Sequence, residues 1–528
     1  MNGYPLHSTA LHARLTRTLI LACYLLIAHS ALAAPPNNPD TSPNIVIILA
    51  DDLGWGDLHA NNPDRGRIPT PHMDRLASQG MRFTDAHSSS GCCSPSRYTL
   101  LTGRYHWRTT LQSGIVPVWG PPLLPADRLN IASLAKSHNY ATACIGKWHL
   151  GRSWPITPAQ KPLFTGFGGK PGGGGEVTIE ATDAHHNAWR EVFSQPIPNG
   201  PTTRGFDLYF GTDVPNWPPY CFIENDRTIG IPSELLPPEK LVKNQASIQG
   251  PALPDWQLEN ILPTLTDRAE KFIRQQTATK QPFLLYFPLT SPHTPLATNP
   301  AWKGKSTLNS EYADLVMETD AAVGQILDTL DDTGIANHTL VLLTSDNGCA
   351  AYIGVKQLEA QGHFPSGPFR DYKASAYEGG HRVPFLIRWP GKVQPASVCN
   401  QLVHHADLLA TLAEILNTPL PPNAGEDSFS LLPLLNGSTR PTRQFAVSTA
   451  CNGLPSFRDQ NWKYIATPTP QLYHLDADLA ESTNLAQNHP ERLASMRDTF
   501  EKIIRTGRST PGPAQKNDIR VTRYPTPP

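Results

Sequence analysis

Four short apolar runs of this chain share one pattern, because each of them ends in charged or polar residues. They lie in the segments NIVIILADDLGWGD, YATACIGKWHLG, FLLYFPLTSPHTP and TLVLLTSDNG. The first run is typical of a buried strand over residues 45–49, and it leads into Asp51 and Asp52. Such runs, with helical patterns like that of residues 312–330 between them, indicate a mostly parallel sheet covered by helices on both faces. The sequence therefore predicts an α/β fold around one large sheet.

The polar residues that follow these runs should meet at one edge of the sheet. In open parallel sheets, ligands bind beyond the carboxyl ends of the strands. Carboxylate and amide oxygens suit a hard cation such as Ca²⁺ or Mg²⁺ better than zinc. The oxygen-bearing residues are Asp51, Asp52, Asp346 and Asn347, and the basic candidates are Arg97, Lys147, His149, His293 and Lys373.

Each of these signals also has an ordinary structural explanation when it is taken alone. An Asp-Asp pair after a strand is often a helix cap or a solvated turn, and Asp-Asn-Gly is a common turn sequence. Each basic residue could equally lie on the surface or be satisfied in the core. Only their combination at one sheet edge would make a site.

The pattern of elements changes twice along the chain. Residues 154–256 are rich in glycine and proline and show few periodic runs, so this segment is an insertion that either walls the site or decorates the surface. Beyond about Asn436, the segments RQFAVSTA, NWKYIAT and QLYHL indicate short antiparallel strands, followed by a helix over residues 490–506. We therefore predict a catalytic domain at 34–435 that contains the insertion, and a small C-terminal α+β domain at 436–528.

The N-terminus has the features of a secretory signal. Arg14 and Arg17 precede the apolar run LILACYLLIAHSALA, which ends in the small-residue pattern Ala31-Leu32-Ala33. A membrane anchor is the alternative, but the run is short for a spanning helix. We predict a signal peptide at 1–33 and a secreted or periplasmic protein without stable membrane insertion after cleavage.

The charge balance excludes some partners. Lys and Arg total 44 against 45 Asp and Glu, so no net field would draw the protein to nucleic acid or to an anionic membrane. A small or locally charged substrate fits this composition better.

The cysteines raise a separate question. Export permits disulfides, and the chain after the signal contains an odd number of cysteines, so at least one of them lies outside an internal pair. Cys92 and Cys93 are adjacent in SSSGCCSPSRYTLLTGRYHWR. Neighbouring cysteines rarely bond each other, because the short ring strains the disulfide and the peptide. The sequence alone leaves the disulfide connectivity open.

The motif around Cys93 resembles the signature of the type I, arylsulfatase-like sulfatases of the alkaline phosphatase superfamily. Cys93-Ser-Pro-Ser-Arg97 is followed by Leu100-Leu-Thr-Gly-Arg104. Further segments resemble family blocks in the same order, from about residue 44 to residue 486: DDLGWGDL, GKWHLG, PHTP, SDNG, KASAYEGGHRVP and LYHLDADLAESTNLA. The pair His72-Met73 departs from the family's usual Asn and aliphatic residue, outside the site.

This resemblance implies an alkaline-phosphatase-like fold and a modified nucleophile. A maturation enzyme that generates formylglycine would convert Cys93, not Cys92, to the aldehyde Cα-formylglycine. The hydrated aldehyde offers one hydroxyl that attacks the sulfate ester and a second whose deprotonation expels sulfate. No water then needs to attack sulfur.

The resemblance also implies roles for the other residues. One divalent cation, with Ca²⁺ favoured over Mg²⁺, would be held by residue 93 and the four oxygen-bearing residues, and it would polarise the hydrated aldehyde. Asp346 could also act as general base. Arg97 and Lys147 would stabilise the formylglycine, and His149 would take the proton from the second hydroxyl. His293 and Lys373 would contact the sulfate, and one of them would protonate the leaving alcohol.

The expected function is therefore hydrolysis of a sulfated small molecule or glycan. We favour a sulfated carbohydrate attacked at a terminal sugar, because aromatic faces pack against sugars and the insertion carries Trp154, Trp189, Trp217 and Trp256 beside His185 and His186. Each Trp could instead be a core residue. Two other functions stay open: a phosphonate or phosphodiester hydrolase of the same superfamily, and a non-catalytic exported binding protein with unmodified Cys93.

Overall fold

The computed structural model describes Gly3 and residues 42–166, 180–244 and 246–522. Apart from Gly3, the predicted signal peptide lies outside the described residues, as does most of the glycine-rich stretch of the insertion. Residues 43–528 belong to one compact unit. Among the helices of the described ranges, none has both the length and the apolar character needed to cross a membrane.

The strands and helices of these ranges alternate along most of the chain. In chain order the strands are β1 (Asn44–Ala50), β2 (Met81–Phe83), β3 (Ala86–His87), β4 (Ala141–Ile145), β5 (Leu208–Gly211), β6 (Ile223–Glu224), β7 (Arg227–Thr228), β8 (Glu234–Leu235), β9 (Pro251–Ala252), β10 (Phe283–Pro288), β11 (Thr339–Ser345), β12 (Phe385–Arg388), β13 (Ser397–Cys399), β14 (Val403–His404), β15 (Phe445–Thr449), β16 (Pro455–Asp459), β17 (Trp462–Ile465) and β18 (Gln471–His474). The α-helices are α1 (Pro71–Gln79), α2 (Cys93–Thr102), α3 (Ile131–Ser137), α4 (Asp183–Phe193), α5 (Ile261–Thr279), α6 (Glu311–Asp332), α7 (Val355–Ala360), α8 (Glu378–His381), α9 (Asp407–Ile415), α10 (Leu432–Leu435) and α11 (Pro490–Thr506).

A ten-stranded sheet forms the centre of the fold, in the order β13-β2-β12-β11-β1-β10-β4-β5-β6-β7. The central strands β11, β1, β10, β4 and β5 are parallel to their neighbours in this group. Antiparallel strands extend the sheet on both sides, at β12 and at β6 and β7. The predicted α/β fold with a large, mostly parallel sheet is therefore confirmed.

Helices cover both faces of this sheet, and as a result every residue of β1, β4, β10 and β11 is buried. Successive side chains of a strand point to opposite faces, so β1 contributes Val46 and Ile48 to one core and Ile45 and Ile47 to the other. The first core includes residues of α1, α5 and α6, and the second includes residues of α2, α3 and α9. The helix predicted over residues 312–330 is α6.

The insertion is built into the sheet rather than laid on it. Its strand β5 runs parallel to β4, and the short pair β6 and β7 continues that edge. Strands of two to four residues are too short to show a period in the sequence. The sequence pattern of the insertion therefore gave no sign of them.

A second, smaller sheet follows in the C-terminal part. Strands β15 to β18 form an antiparallel meander, and α11 packs against it through Met496, Phe500 and Ile503. The three predicted strands and the helix are present, while β16 was missed. Tyr105 and Trp107 belong to the same small core, and the boundary near residue 436 stays a prediction.

Candidate active site

The loops after the central strands are held side by side by backbone hydrogen bonds. The amide of Asp346 donates to the carbonyl of Ala50 over 3.0 Å, and the amide of Asp51 donates to that of Ser291 over 3.0 Å. The amide of Lys147 donates to the carbonyl of Pro288 over 2.8 Å. Because these bonds tie residues just past the ends of β1, β4, β10 and β11, the polar residues emerge together at one edge of the sheet.

Cys93 is the first residue of α2, with Cys92 as the N-cap. Its side chain is buried, and it lies at the positive end of the helix dipole. Arg97 is four residues further along, on the same face of the helix. Burial raises the pKa of the Cys93 thiol to about 12, so the thiol is protonated at neutral pH and is a poor nucleophile.

Three carboxylates face three basic side chains around Cys93. Lys147 Nζ lies 2.7 Å from Asp51 Oδ2. Arg97 Nη2 lies 2.7 Å from Asp346 Oδ2, and Lys373 Nζ lies 2.6 Å from Asp52 Oδ2. We call these six residues the active-site cluster. Their formal charges cancel, so any added cation would leave the cluster positive.

The Asp51 carboxyl stays ionised despite its burial. Burial alone raises the pKa of the Asp51 carboxyl, but Lys147, His293 and Arg97 outweigh it and leave the pKa below its usual value. Burial lowers the pKa of Lys373, but the charge of Asp52 dominates and the pKa ends well above the usual range. Ionised carboxylates are the form that binds a cation.

Two histidines complete the site. Nε2 of His149 lies 3.2 Å from the carbonyl oxygen of Val116, and its Nδ1 is buried without a hydrogen-bond partner in the described part of the chain. Burial, followed by the charges of Lys147 and Arg97, holds the pKa of His149 well below its usual value. His293 lies with Nε2 3.6 Å from Asp52 Oδ2, and burial lowers its pKa as well.

The backbone at this edge is strained at two of these residues. Asp52 has a φ of 66° and His149 a φ of 51°, in the left-handed region that residues other than glycine seldom adopt. Such strain is characteristic of functional sites, where the surrounding structure holds a side chain in a required position.

The oxygen atoms at the centre of the cluster fit a hard cation. Asp51 Oδ1 and Asn347 Oδ1 are buried and accept no hydrogen bond within the described ranges. Leaving a buried acceptor unpaired costs about 1–3 kcal/mol, and a cation would remove that cost at both atoms. Ligand atoms of Asp51, Asp52, Cys93 and His293 all lie within 4.8 Å of one another.

The structure brings all the sequence-predicted site residues to this one place. Asn347 joins the cluster through its Nδ2, which donates to Asp52 Oδ1 over 2.7 Å. Asp346 Oδ1 accepts from the amide of Asp52 over 3.2 Å. His149 lies close enough to Lys147 and Arg97 for their charges to lower its pKa.

Sequence reasoning missed two neighbours of the site. Tyr352 is 38% exposed, and it lies close enough to Lys373, Asp52 and Cys93 for their charges to act on its phenol. Asp213 is buried, and its carbonyl accepts from the amide of His149 over 3.1 Å. Neither residue stands in a recognisable motif, so no local signal pointed to them.

The insertion's aromatic residues divide into two groups. Trp217 packs edge-to-face against His149, with ring centroids 5.4 Å apart. Trp189 and Trp256 are buried in hydrophobic cores, and Trp154 packs against Trp119. The expectation that these tryptophans present a sugar-binding surface is therefore wrong for Trp189 and Trp256, since apolar contacts bury their rings.

A second buried charge cluster lies outside this site. Glu378 Oε1 is 3.0 Å from Lys463 Nζ, and Glu378 Oε2 is 3.3 Å from Arg458 Nη1. His87 and His381 lie alongside, with their Nδ1 atoms 3.0 Å apart. We call this group the junction cluster, because it joins the main sheet's loops to the small C-terminal sheet; its members are Asp85, His87, Glu378, His381, Arg382, Arg458, Lys463 and Glu481.

Comparisons with known proteins agree on one family. The family described as Sulfatase matches residues 43–418. An N-acetylgalactosamine-6-O-sulfatase from Bacteroides thetaiotaomicron is 32% identical over 495 residues, which is 87% of this chain and 93% of the relative. A solved structure from work on the metabolism of multiple glycosaminoglycans by Bacteroides thetaiotaomicron is 30% identical, with a TM-score of 0.73, and the match covers 88% of this chain and 99% of that chain.

The fold extends to other hydrolases. The phosphonate monoester hydrolase of Agrobacterium radiobacter matches with a TM-score of 0.54 at 20% identity, over 87% of this chain and 95% of that chain. At this identity the likeness concerns the fold alone. Together with the sulfatase structure, it confirms the predicted fold class.

Proposed function

The chain belongs to the sulfatase family and is a sulfuric ester hydrolase, and from this premise we propose that it cleaves sulfate esters of carbohydrates with a formylglycine derived from Cys93 and one hard divalent cation. The observation that carries the proposal is the position of Cys93. It lies buried at the start of α2, where ligand atoms of Asp51, Asp52 and His293 lie within 4.8 Å of its sulfur and of one another. Lys147, Lys373 and Asp346 are close enough for their charges to act on it.

A thiol at this position would serve the reaction badly. The pKa of about 12 keeps the Cys93 thiol protonated, whereas the hydrate of formylglycine supplies an oxygen nucleophile and a second hydroxyl. The surrounding basic groups suit oxygen anions rather than a buried neutral thiol. A maturation enzyme would carry out the conversion.

The cation would be held by Asp51, Asp52, Asp346 and Asn347, together with residue 93. Bound there, it would polarise the nucleophile and a sulfate oxygen, and Ca²⁺ is favoured because flexible oxygen ligands suit it. A divalent ion would leave the otherwise neutral active-site cluster with two positive charges, which favours binding of an anionic sulfate ester.

His149 is suited to accept a proton during sulfate release. Its lowered pKa keeps the imidazole neutral near pH 7, and its Nδ1 lone pair has no other partner in the described residues. The contact from Nε2 to the Val116 carbonyl fixes which nitrogen carries the proton. Strained backbone and the edge of Trp217 hold the ring in place.

His293 and Lys373 are suited to bind the sulfate and to protonate the leaving alcohol. Both contact Asp52, on the side of the cluster nearest to the exposed Tyr352. Arg97 and Lys147 are fully buried behind residue 93, where preorganised positive charge stabilises a developing oxyanion. A single such donor commonly contributes on the order of 10²–10³ in rate.

A carbohydrate substrate is supported by the relative and by the surface near the site. The N-acetylgalactosamine-6-O-sulfatase from Bacteroides thetaiotaomicron matches this chain over 93% of its own length. Small-ligand cavities usually measure about 300–1,000 Å³, and one of about 740 Å³ is lined by Tyr352 together with Thr298, Lys303 and Gln357. An exposed phenol ring with polar neighbours can stack on a sugar and read its hydroxyls.

The test compares turnover of sulfated N-acetylgalactosamine, sulfated glucosamine, a generic aryl sulfate, and the matching phosphate and phosphonate esters. We expect the highest kcat/KM on a sulfated sugar and little turnover of phosphorus esters. Faster turnover of phosphonates would instead favour the second hydrolase function. No turnover, together with an intact Cys93 thiol in native protein, would favour the binding protein.

Tyr352→Ala should raise KM for sulfated sugars more than for the aryl sulfate. The matched control is Tyr372→Ala, because Tyr372 pairs with Glu359 and lines no part of the described cavity.

The cation is tested by metal analysis and anomalous scattering. We expect one Ca²⁺ per chain, lost with a chelator and restored by Ca²⁺. Zinc bound through nitrogen ligands would overturn this part of the proposal. We also propose that the chain is exported to the periplasm or the medium, and N-terminal sequencing of the mature protein should begin near residue 34.

A further inference from the structure

Cys92 has no task in the proposed chemistry, although it stands next to the nucleophile. It caps α2 and is almost fully buried. Its sulfur lies 3.6 Å from Ser90 Oγ and 3.8 Å from the carbonyl oxygen of Gly114. These are weak contacts for a buried thiol, so they do not by themselves account for a cysteine at this position.

The backbone before Cys92 runs beside the segment that carries Cys451. The amide of Thr449 donates to the carbonyl of Ser89 over 3.0 Å, and the amide of Gly91 donates to that of Thr449 over 2.8 Å. This is a parallel bridge between Ser90 and Thr449. Two residues beyond the bridge, the two segments reach Cys92 and Cys451.

This register suits a covalent link. Cys92 has an extended backbone, and Cys451 stands in the turn just after β15. Paired strands lie about 4.8 Å apart, and the bridge between Ser90 and Thr449 brings the two segments together just before the cysteines. Disulfides join Cα atoms about 4.4–6.8 Å apart. The two thiols lie close enough to shift each other's pKa, and Cys451 is only partly buried, so an oxidant can reach the pair.

We propose that Cys92 and Cys451 form a disulfide that fastens the start of α2 to the loop between β15 and β16. The oxidant is another disulfide, such as that of an oxidised dithiol carrier or of glutathione. One thiolate attacks it to give a mixed disulfide, and the second thiolate displaces the carrier's sulfur. Two thiols lose two protons and two electrons, and the carrier's disulfide is reduced to two thiols.

The link would have two consequences for the active site. It would hold the helix that carries residue 93 against the C-terminal part of the chain, across a loop of more than 350 residues, and long loops give large stabilisation in the chain-entropy account. It would also occupy Cys92, which leaves Cys93 as the free thiol of the pair for conversion. Cys92 would then stabilise the fold, and Cys93 would be the residue that is converted to formylglycine.

Peptide mapping tests the link directly. The purified full-length protein is incubated with oxidised glutathione, its free thiols are alkylated, and it is digested with trypsin without reduction. Cleavage leaves Cys92 and Cys93 in the peptide 83–97 and Cys451 in the peptide 444–458. We expect these two peptides as one cross-linked species that separates on reduction. When residue 93 is formylglycine, the link can only involve Cys92.

Recovery of both peptides as separate alkylated species after this treatment would overturn the proposal. A link from Cys451 to any cysteine other than Cys92 would overturn it as well. Neither result would bear on sulfate ester hydrolysis, which is measured separately.

Thermal unfolding supplies a second test. Cys92→Ser, Cys451→Ser and the double variant should each melt a few degrees below the oxidised wild type, and the double variant no lower than the single ones. Dithiothreitol should lower the melting temperature of the wild type and leave the three variants unchanged. A wild type that is insensitive to the reductant would contradict the disulfide, because a mere thiol contact survives reduction.

Discussion

The active-site cluster and the junction cluster contain the same numbers of acidic and basic side chains. They differ in whether the buried oxygens have hydrogen-bond partners within the protein. Each contains three carboxylates and three basic side chains, and both are buried. In the junction cluster, both oxygens of Asp85 and both oxygens of Glu378 have partners. In the active-site cluster, Asp51 Oδ1 accepts no hydrogen bond within the described ranges and faces Arg97 Nη2 at 3.5 Å, and beside the cluster Asn347 Oδ1 accepts no hydrogen bond there either.

The difference separates a structural role from a binding role. Buried polar groups are normally satisfied, because an unpaired one costs about as much as a lost hydrogen bond. The junction cluster is closed by protein groups: its one carboxylate oxygen that accepts no hydrogen bond within the described ranges, Glu481 Oε1, lies 2.8 Å from Lys463 Nζ. The active-site cluster holds positive and negative charge ready for an added cation and an anionic ester. The two regions should therefore respond differently to the same kinds of change.

The largest expected effect belongs to the nucleophile. Cys93→Ala should reduce kcat/KM by about 10⁴-fold or more, because loss of a nucleophile removes the covalent route, while the melting temperature changes little. Activity assays and thermal unfolding measure the two effects. Cys92→Ala, assayed well below its melting temperature, should keep its turnover. Peptide masses with an intact Cys93 thiol in fully active enzyme would contradict this prediction.

The matched lysines test the comparison itself. Lys463→Met should destabilise the protein by about 3–5 kcal/mol, because Glu378 Oε1 and Glu481 Oε1 would both lose their buried ion-pair partner. Lys147→Met should cost less stability when Ca²⁺ is present, because the ion would compensate Asp51, and it should lower kcat by about 10²–10³-fold. Denaturant unfolding with and without a chelator measures the two stability losses, and an activity assay measures kcat.

Chelation should enlarge the stability loss of Lys147→Met and leave that of Lys463→Met unchanged. Equal losses at both sites under both conditions would mean that the two clusters do not differ in the way proposed.

The sequence predicted one cluster and missed the other for a physical reason. Asp51, Lys147 and Asp346 each follow a strongly apolar strand, so the strand itself marks the residue, and the motif around Cys93 adds a second local signal. Glu378, His381, Arg382 and Glu481 of the junction cluster stand in segments that resemble the family's, but no long apolar strand leads into them. Arg458 and Lys463 stand singly in short strands, and only the packing of the small sheet against Glu378 makes them a group. Pairings across 80 and 85 residues leave no periodic trace in the sequence.

Acid should weaken the junction region. His106 bonds to Ser89 and Thr449 across it, and burial lowers its pKa from 6.5 to about 3. The unfolded chain binds this proton below pH 6.5 while the folded chain does not, so the stabilisation is present above pH 6.5 and is lost as the pH falls toward 3. From pH 8 to pH 5 the loss should be about 2 kcal/mol.

Denaturant unfolding across this pH range measures the slope. His106→Gln should flatten it, while His59→Gln, at an exposed histidine, should leave it as in the wild type. An unchanged slope in His106→Gln would assign the acid sensitivity to other groups, such as His87 and His381, whose pKa values burial also lowers.

The smallest expected effect concerns Trp217, which packs against His149 next to the active-site cluster. Trp217 and Trp189 look alike in the sequence, yet only Trp217 packs against the ring of His149. Trp217→Phe should lower kcat by about 10-fold, because a loosened imidazole reaches its proton less often, with little change in KM and a shift of the acidic side of the pH profile, where His149 would be protonated. Trp189→Phe should lower the melting temperature instead, since its buried indole donates to the Leu163 carbonyl over 2.9 Å. If both variants lose only stability, Trp217 is a core residue like its counterpart, and His149 is held by its backbone and by Val116 alone.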